Sequence, residues 1–248
     1  MSNQKNKKKK HSQPVKSKAQ IKAEEEARVK EFNKKAIIIS AIAIVLIAAI
    51  ITTICIIANN YNPLDKYVED TSTEKKDTYY VAMNVKDYGV IVVELDAKAA
   101  PKTVENFVKL VREDFYDGLT FHRVMEGFMI QGGDPNANGT GGSSNKIVGE
   151  FLDNGYYNPI KHERGVISMA RRDDSYDSAS SQFFICNANS ANVSNLDGSY
   201  AAFGHVVKGM DVVDSITEET SKYATNGVIR EKSDQAVITE MRVIIYEK

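Results

Sequence analysis

Three short segments combine one arginine with amide and aromatic side chains. They are FHRV (121–124), GFMIQGGD (127–134) and SQFFIC (181–186). Alternate residues of a β-strand share a face, so Met129 is expected beside Gln131. Gln182 is expected beside Phe184 for the same reason. A face of amides, large apolar groups and the guanidinium of Arg123 suits neither a core nor a plain surface, which favours a binding face over an exposed sheet face with scattered polar residues.

The glycine-rich segment QGGDPNANGTGG (131–142) resembles two kinds of ligand-binding loop, but it lacks residues that each of them requires. A phosphate-binding loop requires a following Gly-Lys-Ser/Thr and a helix, and the sequence has no such continuation. An EF-hand calcium loop would match at its first, third, fifth and sixth positions, which are Asp134, Asn136, Asn138 and Gly139. Its twelfth position is Asn145, where a bidentate glutamate is required. We therefore expect neither ligand here.

The other reactive side chains give no sign of metal or covalent chemistry. The four histidines lie far apart, without the spacing of metal ligands, at positions 11, 122, 162 and 205. No serine is framed as Gly-x-Ser-x-Gly, and Cys55 and Cys186 both lie in apolar runs. We expect structural histidines, no metal, no cofactor and no covalent nucleophile.

The elements that would position these residues are mostly short β-strands. Apolar runs at 79–85 and 90–95 predict a hairpin, and further strands are predicted over 120–124, 128–131, 166–170, 182–186, 202–206 and 236–247. Apolar residues recur at helical spacing from Pro101 to Asp114, and a second short helix is predicted around 210–216. Many short strands with two helices predict a mainly β barrel or sandwich rather than a parallel α/β sheet.

The chain divides into three segments of different charge. Residues 1–35 hold eleven Lys and one Arg against four Glu, residues 36–58 carry no charge, and the remainder is acidic. The uncharged run of 23 residues would span roughly 35 Å as a helix, against a hydrocarbon core of about 30 Å. It predicts a transmembrane anchor. A buried core helix would need polar residues on one side, and a cleavable signal peptide has a shorter apolar region.

The charges that flank this run predict its orientation. Three Lys at positions 30, 34 and 35 precede it, while Asp65, Glu69 and Asp70 follow it. The Lys-rich side of a single span remains in the cytoplasm. We therefore predict a basic cytoplasmic tail at 1–35, a cell-membrane anchor at 36–58, a polar linker at 59–77 and an extracytoplasmic domain at 78–248. Lys7 to Lys10 could contact nucleic acid or anionic lipid, but a disordered tail without a nucleic-acid partner is favoured.

At its longer motifs the sequence resembles the cyclophilin family of peptidyl-prolyl isomerases. The resemblance covers essentially all of residues 78–248. Its blocks are GLTFHRVMEGFMIQGGDP (118–135), GTGG (139–142), GEF (149–151), RGVISMAR (164–171), SASSQFFI (178–185) and LDGSYAAFGHVVKGMDVVD (196–214). It implies a closed eight-stranded antiparallel barrel capped by two helices, and the pattern looks more like bacterial than animal members.

The resemblance also implies a role for each candidate site residue. Arg123 falls at the position of the catalytic arginine. The proline pocket falls on Phe128, Met129, Phe184 and Leu196. The orienting glutamines fall on Gln131 and Gln182, and Ala170 and Arg171 fall on the strand that pairs with the substrate backbone. Tyr200 replaces the family's pocket histidine, and its ring can still close the pocket.

Two further departures from the family pattern concern ligands. Asn195 stands where many members have Trp, and the chain has no Trp at all. Cyclosporin is therefore expected to bind weakly if it binds, because an indole donor and its apolar surface are missing. Arg171-Arg172 replaces the family's Asn-Ala, in a loop to Ser181 that looks longer than in compact members.

The sequence thus predicts an enzyme that accelerates X-Pro bond rotation in extracytoplasmic or secreted proteins, with proline-containing polypeptides as clients. Rotation about an amide breaks no bond, so the absence of a nucleophile, metal or cofactor motif is consistent with this reaction. The alternatives are a non-catalytic proline-binding or chaperone module at the membrane, and a structural part of an envelope assembly.

Overall fold

The computed structural model describes residues 16–247, and the chain divides into two compact units between Tyr61 and Asn62. The first unit contains one helix, α1 (Lys18–Asn60). Ser17 caps it, since its hydroxyl accepts the Gln20 amide proton and the Gln20 side chain accepts the Ser17 amide proton. The predicted span 36–58 lies inside α1, which begins earlier because the Ala-, Glu- and Lys-rich residues before it also favour helix.

By length and composition, α1 is able to cross a membrane. It is the one helix among residues 16–247 with this property, and its apolar part lies near the N-terminus. A signal anchor and a signal sequence both have this character.

The second unit is an antiparallel β-barrel with helices. Its strands are β1 (Val68–Glu69), β2 (Thr78–Val85), β3 (Gly89–Asp96), β4 (Thr120–Met125), β5 (Met129–Gly132), β6 (Val166–Met169), β7 (Phe183–Cys186), β8 (Ala202–Lys208), β9 (Ala224–Thr225), β10 (Val228–Ile229) and β11 (Ala236–Ile245). The helices are α2 (Pro101–Arg112), α3 (Ala191–Ser194) and α4 (Met210–Thr220), with 3-10 turns at Pro63–Lys66, Leu152–Asn154, Ser221–Tyr223 and Lys232–Asp234.

Eight of these strands form a closed ring in the order β11-β2-β3-β8-β6-β7-β5-β4, with β4 pairing back onto β11. The closure is short: Phe121 pairs with Ala236, and Thr120 pairs with Val237. A register irregularity between Ile238 and Glu240 separates this part of β11 from the part that pairs with β2. The predicted closed eight-stranded barrel with helices is confirmed. β1 and the β9–β10 hairpin add strands that the sequence analysis did not predict.

The barrel interior is filled by alternate residues of the strands and by aromatic rings. Phe107 of α2 contacts the rings of Tyr116, Phe183 and Phe203 at centroid distances of 5.0, 5.5 and 5.1 Å. The N-terminus of α2 is capped by a residue that is distant in sequence, because the buried Glu150 carboxylate accepts the amide protons of Lys102 and Thr103. The apolar face of α4 packs against the same core through Val212, Val213 and Ile216.

The predicted linker differs from the structure in its second part. Leu64 is fully buried in a cluster with Ala82, Val90, Val92 and Ile244, and β1 pairs with the end of β11. The Asp70 amide also donates to the Val243 carbonyl oxygen. The compact unit therefore begins at Asn62 rather than near Thr78. A single buried leucine in a polar segment has no periodicity, so the pattern of residues 59–77 did not indicate this packing.

We predict that Leu64→Ala lowers the free energy of unfolding of the barrel by about 2 to 5 kcal/mol, because it removes a buried side chain and leaves a cavity. Val68→Ala is the matched control, since Val68 is 65% exposed. Urea denaturation of the detergent-solubilised chain, followed by near-ultraviolet circular dichroism, measures both changes. Equal stability of the two variants would contradict the packing of this segment.

Candidate active site

One cavity of about 470 Å³ collects most of the predicted site residues. Strands β4, β5 and β7, the segment after β6 and the turn after α3 supply its walls. Nine of the ten predicted residues line it: Arg123, Phe128, Met129, Gln131, Ala170, Arg171, Phe184, Leu196 and Tyr200. The tenth, Gln182, lies in an adjoining cavity of about 340 Å³ that shares Gln131, Ala170 and Arg171.

Strand register places the polar side chains of the site in a row. Arg123 of β4 pairs with Gln131 of β5, and Gln131 pairs with Phe184 of β7. The Arg123 guanidinium donates to Gln131 Oε1 at 3.1 Å. Gln131 Nε2 donates to Gln182 Oε1 at 2.9 Å, and Gln182 Nε2 donates to the Gly141 carbonyl oxygen at 2.7 Å. The two amides therefore connect the guanidinium to the glycine-rich loop.

The guanidinium of Arg123 is half-buried and is held at both ends. Its Nη2 lies 3.3 Å from the Met125 sulfur, while Nη1 is bonded to Gln131. Its Cζ lies 6.0 Å from the Phe128 ring centroid. Burial lowers the pKa of Arg123, but an arginine pKa starts so far above neutrality that the group remains a cation. The site thus presents a fixed planar donor beside an apolar wall.

The apolar part of the cavity is a small cluster separate from the main core. Met129 and Phe184 are buried, Leu196 is 9% exposed, and Phe128 and Tyr200 pack against them. The Phe184 and Tyr200 rings meet edge to face at 5.8 Å. Such a pocket accepts a small apolar ring, while the neighbouring guanidinium and amides can bind carbonyl groups.

A row of polar side chains, of which His162 and Ser168 are buried, lies next to the pocket residue Phe184. The His162 ring stacks on Phe184 at 6.1 Å, its Nδ1 is 3.0 Å from Asp197 Oδ1, and its Nε2 is 3.0 Å from Ser168 Oγ. This arrangement resembles an Asp-His-Ser triad, but Ser168 is fully buried and its oxygen cannot reach a substrate. The row therefore orients Phe184.

Five further residues line the cavity that the sequence analysis did not assign to it: His122, Asn138, Gly139, Asp173 and Val228. Val228 belongs to the β9–β10 hairpin, whose turn is Asn226-Gly227 with positive φ at both residues. Asn-Gly is a strong hairpin signal, so the sequence contained a signal for this hairpin but none for its place beside the pocket. Burial lowers the pKa of His122, and neither ring nitrogen has a hydrogen-bond partner among the described residues.

Comparison with known proteins shows to which family the barrel belongs. Residues 80–243 match the profile of the family described as cyclophilin type peptidyl-prolyl cis-trans isomerase/CLD. The chain belongs to the cyclophilin family. It is 40% identical over 159 residues to a peptidyl-prolyl cis-trans isomerase of Helicobacter pylori, a match that covers 63% of this chain and 91% of that protein. It is also 38% identical over 157 residues to the isomerase ppi1 of Schizosaccharomyces pombe, a match that covers 63% of this chain and 90% of that protein.

Solved cyclophilin structures have the same barrel. A Cryptosporidium parvum cyclophilin type isomerase superposes with a TM-score of 0.59 and 26% identity, covering 68% of this chain and 99% of that one. A structure of that protein in the presence of the dipeptide Ala-Pro gives a TM-score of 0.57, 27% identity and coverages of 67% and 99%. The chain is therefore a peptidyl-prolyl cis-trans isomerase by family. Its relatives come from bacteria, fungi and a protozoan, so its bacterial-like pattern stays a prediction.

The buried His162 makes the stability of this cyclophilin depend on pH. Burial lowers the pKa of His162, whereas the unfolded chain protonates near pH 6.5. The unfolded state binds more protons below that value, so the free energy of unfolding is expected to fall as the pH drops from about 6.5 towards the folded-state pKa. Urea titrations at a series of pH values should show a smaller slope for His162→Gln. His205→Gln, at an exposed position, is the control, and an unchanged slope in His162→Gln would refute the assignment.

Proposed function

We propose that this cyclophilin isomerises X-Pro bonds in polypeptides outside the cytoplasm, with Arg123 as its catalytic residue. The observation that carries this proposal is the row Arg123–Gln131–Gln182 beside the apolar pocket. A proline ring fits the pocket, and the preceding carbonyl group then lies near the guanidinium. The Ala-Pro dipeptide named for the related structure belongs to the same ligand class.

The reaction requires stabilisation of a twisted amide. Its barrier of about 18 to 20 kcal/mol arises from amide resonance, which is lost at the midpoint of rotation. A barrier of about 20 kcal/mol gives roughly 0.01 events per second, so a turnover near one thousand per second needs about 7 kcal/mol of differential stabilisation. No bond breaks, so the enzyme acts by position and electrostatics alone.

Arg123 supplies the electrostatic part. The twisted amide has a pyramidal proline nitrogen with a lone pair, and a guanidinium N–H can donate to it or hold the rotating carbonyl oxygen. A hydrogen bond to a charged group contributes roughly 1.5 to 3 kcal/mol, and more where water is excluded. Gln131 and Met125 fix the guanidinium before substrate binds, so little reorganisation is needed.

The remaining stabilisation comes from holding one side of the rotating bond. Phe128, Met129, Phe184, Leu196 and Tyr200 grip the proline ring, and the backbone of Ala170 and Arg171 pairs with the residues before it. Holding one side while polarising the other favours the transition state over both ground states. Gln182 acts indirectly, through its hydrogen bond to Gln131.

Arg123→Lys is expected to reduce the catalysed exchange rate about ten- to a hundredfold, because an ammonium lacks the planar fork that Gln131 and Met125 orient. Two-dimensional NMR exchange on an Ala-Pro peptide measures this with the full chain in detergent micelles. Arg112→Lys on α2 is the matched control. Near-normal exchange in Arg123→Lys would contradict the assignment. Peptide binding by the wild type without acceleration would indicate the alternative, a non-catalytic proline-binding module.

We further propose that α1 is a signal anchor in the cell membrane, with the N-terminus in the cytoplasm. The support is its uncharged run, the Lys residues before it and the acidic residues after it. An anchored barrel is confined near the exit of newly translocated chains, which raises its effective concentration there. Secreted polypeptides are therefore the proposed clients, and protein folding the proposed context.

Cysteine labelling tests this topology with little background. Cys55 lies in the apolar run, and burial raises the pKa of Cys186 to about 12, so its thiol is unreactive. A membrane-impermeant maleimide applied to intact cells should label Tyr157→Cys, a 79% exposed barrel position. It should label Lys35→Cys only after permeabilisation. The reverse pattern would refute the orientation, and a soluble labelled barrel lacking residues 1–58 would indicate a cleaved signal sequence.

Cyclosporin is proposed to bind weakly. Asn195 follows α3 at an exposed position next to Leu196 of the pocket, so the surface offered there is a small amide. It provides less apolar contact than the indole that many family members have at this position.

A further inference from the structure

Three aromatic rings enclose the guanidinium of Arg171 at the edge of the proline pocket. Its Cζ lies 4.7 Å from the ring centroid of Tyr200, 5.0 Å from that of Tyr176 and 5.5 Å from that of Phe151. A guanidinium over an aromatic face is attracted by the negative face of the ring. Three such contacts to one side chain hold it in a single place.

Two backbone carbonyl groups orient the same guanidinium. Nε of Arg171 donates to the Ser199 carbonyl oxygen at 2.9 Å, and Nη1 donates to the Arg172 carbonyl oxygen at 2.9 Å. Ser199 immediately precedes Tyr200, so Arg171 contacts both the ring of Tyr200 and the backbone that carries it. Lysine could not make this set of contacts, because it lacks the planar fork.

On its pocket side, Tyr200 meets Phe184 edge to face at 5.8 Å. The ring of Tyr200 is thus placed between Phe184 and Arg171. The His162 ring stacks on the Phe184 ring and thereby fixes it. The Tyr200 ring, which lines the pocket, therefore contacts both Phe184 and Arg171.

Tyr176, the second of these rings, belongs to the loop between Arg171 and Ser181. It is 42% exposed, it does not line the pocket, and its ring meets Phe151 edge to face at 5.4 Å. The loop is fastened next to it, because Asp177 Oδ1 accepts from the Gly149 amide at 3.0 Å and from Asn154 Nδ2 at 2.9 Å. A Cβ on Gly149 would come within 2.3 Å of the Phe151 ring and 2.5 Å of the Tyr176 carbonyl oxygen, so only glycine allows this approach.

We propose that Tyr176 is a positioning residue for the proline pocket: it stacks on Arg171, and Arg171 in turn holds the Tyr200 ring against Phe184. This inference rests on the proposed function of the pocket. Loosening the Tyr200 ring weakens proline binding in the ground state and in the transition state alike, while Phe128, Met129, Phe184 and Leu196 still hold that side of the rotating bond. KM should therefore rise, and kcat should stay nearly unchanged.

The test uses the full chain in detergent micelles, with kcat and KM for an Ala-Pro peptide taken from NMR exchange at several peptide concentrations. We expect Tyr176→Leu to raise KM about three- to tenfold with kcat within about twofold of wild type, as suits the loss of one partly exposed cation–π contact. Tyr176→Phe retains the ring and should retain the wild-type KM. Arg171→Ala should raise KM at least as much, and adding Tyr176→Leu to it should raise KM no further.

Arg172→Ala is the matched control for charge. Arg172 is the next residue, is exposed, and pairs with Asp174 rather than with the rings, so its removal should leave KM unchanged. The proposal is overturned if Tyr176→Leu leaves KM unchanged, if Tyr176→Phe is as defective as Tyr176→Leu, or if Arg172→Ala matches Arg171→Ala.

A failure of the proposed function gives a different result. In that case the wild type would bind the peptide without accelerating exchange, and the dissociation constant from an NMR titration replaces KM. Weaker binding by Tyr176→Leu with normal binding by Tyr176→Phe would still support the positioning role, and equal binding by all three proteins would overturn it.

Discussion

The closure of the barrel between β11 and β4 is the constraint on which the site depends. β4 carries Arg123, which is paired with Gln131 of β5 on one side and with Val228 of β10 on the other. Because the side chains of a strand alternate between two faces, a slip of one residue would turn Arg123 into the core and Val124 into the pocket. The pairs Phe121–Ala236 and Thr120–Val237 close the ring on one side of a register irregularity between Phe121 and Arg123, and the pairs Arg123–Gln131 and Val124–Ile130 fix the register on the other side. The buried Thr120 hydroxyl also bonds to the Gln235 side chain. The strand pairs that close the barrel therefore adjoin the pairs that place Arg123, the proposed catalytic residue.

For a reaction that breaks no bond, this rigidity is most of what an enzyme can contribute. A loose guanidinium would stabilise the planar and the twisted amide equally, and would raise affinity without raising the rate. In the proposed mechanism Gln131 prevents this, since its Oε1 accepts a hydrogen bond from the guanidinium. Gln131 is itself oriented by Gln182, which bonds to the loop at Gly141. The glycine-rich segment, which the sequence suggested as a ligand loop, thus anchors an amide. Its buried Asp134 accepts the amide protons of Asn136, Asn138 and Gly139, which explains the calcium-like pattern without a metal.

Local patterns in the sequence predicted the eight strands of the ring and α2, because the pattern of each lies within a single element. The eight-strand closure and the roles of the site residues came from the resemblance. Strand alternation indicated only that a binding face holds Arg123, Met129, Gln131, Gln182 and Phe184. Leu64 was missed because one buried leucine has no period, and α3 because four residues are too few for a pattern. The row Asp197–His162–Ser168 joins residues up to 35 positions apart, and only the folded chain brings them within 3.0 Å. Spacing along the sequence does not contain such contacts.

Two departures from the family pattern look independent in the sequence and are a single contact in the structure. The resemblance implies that Tyr200 stands at the position of the family's pocket histidine, and that Arg171, 29 positions earlier, stands at the position of an asparagine. A neutral tyrosine ring offers a negative face rather than a ring nitrogen, and a guanidinium 4.7 Å from that face is the partner it favours. The loop from Arg171 to Ser181 adds Tyr176, whose ring centroid lies 5.0 Å from the same guanidinium. The replacement of the histidine is thus consistent with a working pocket, since the Tyr200 ring at this position is contacted by the Arg171 guanidinium, which in turn contacts the Tyr176 ring.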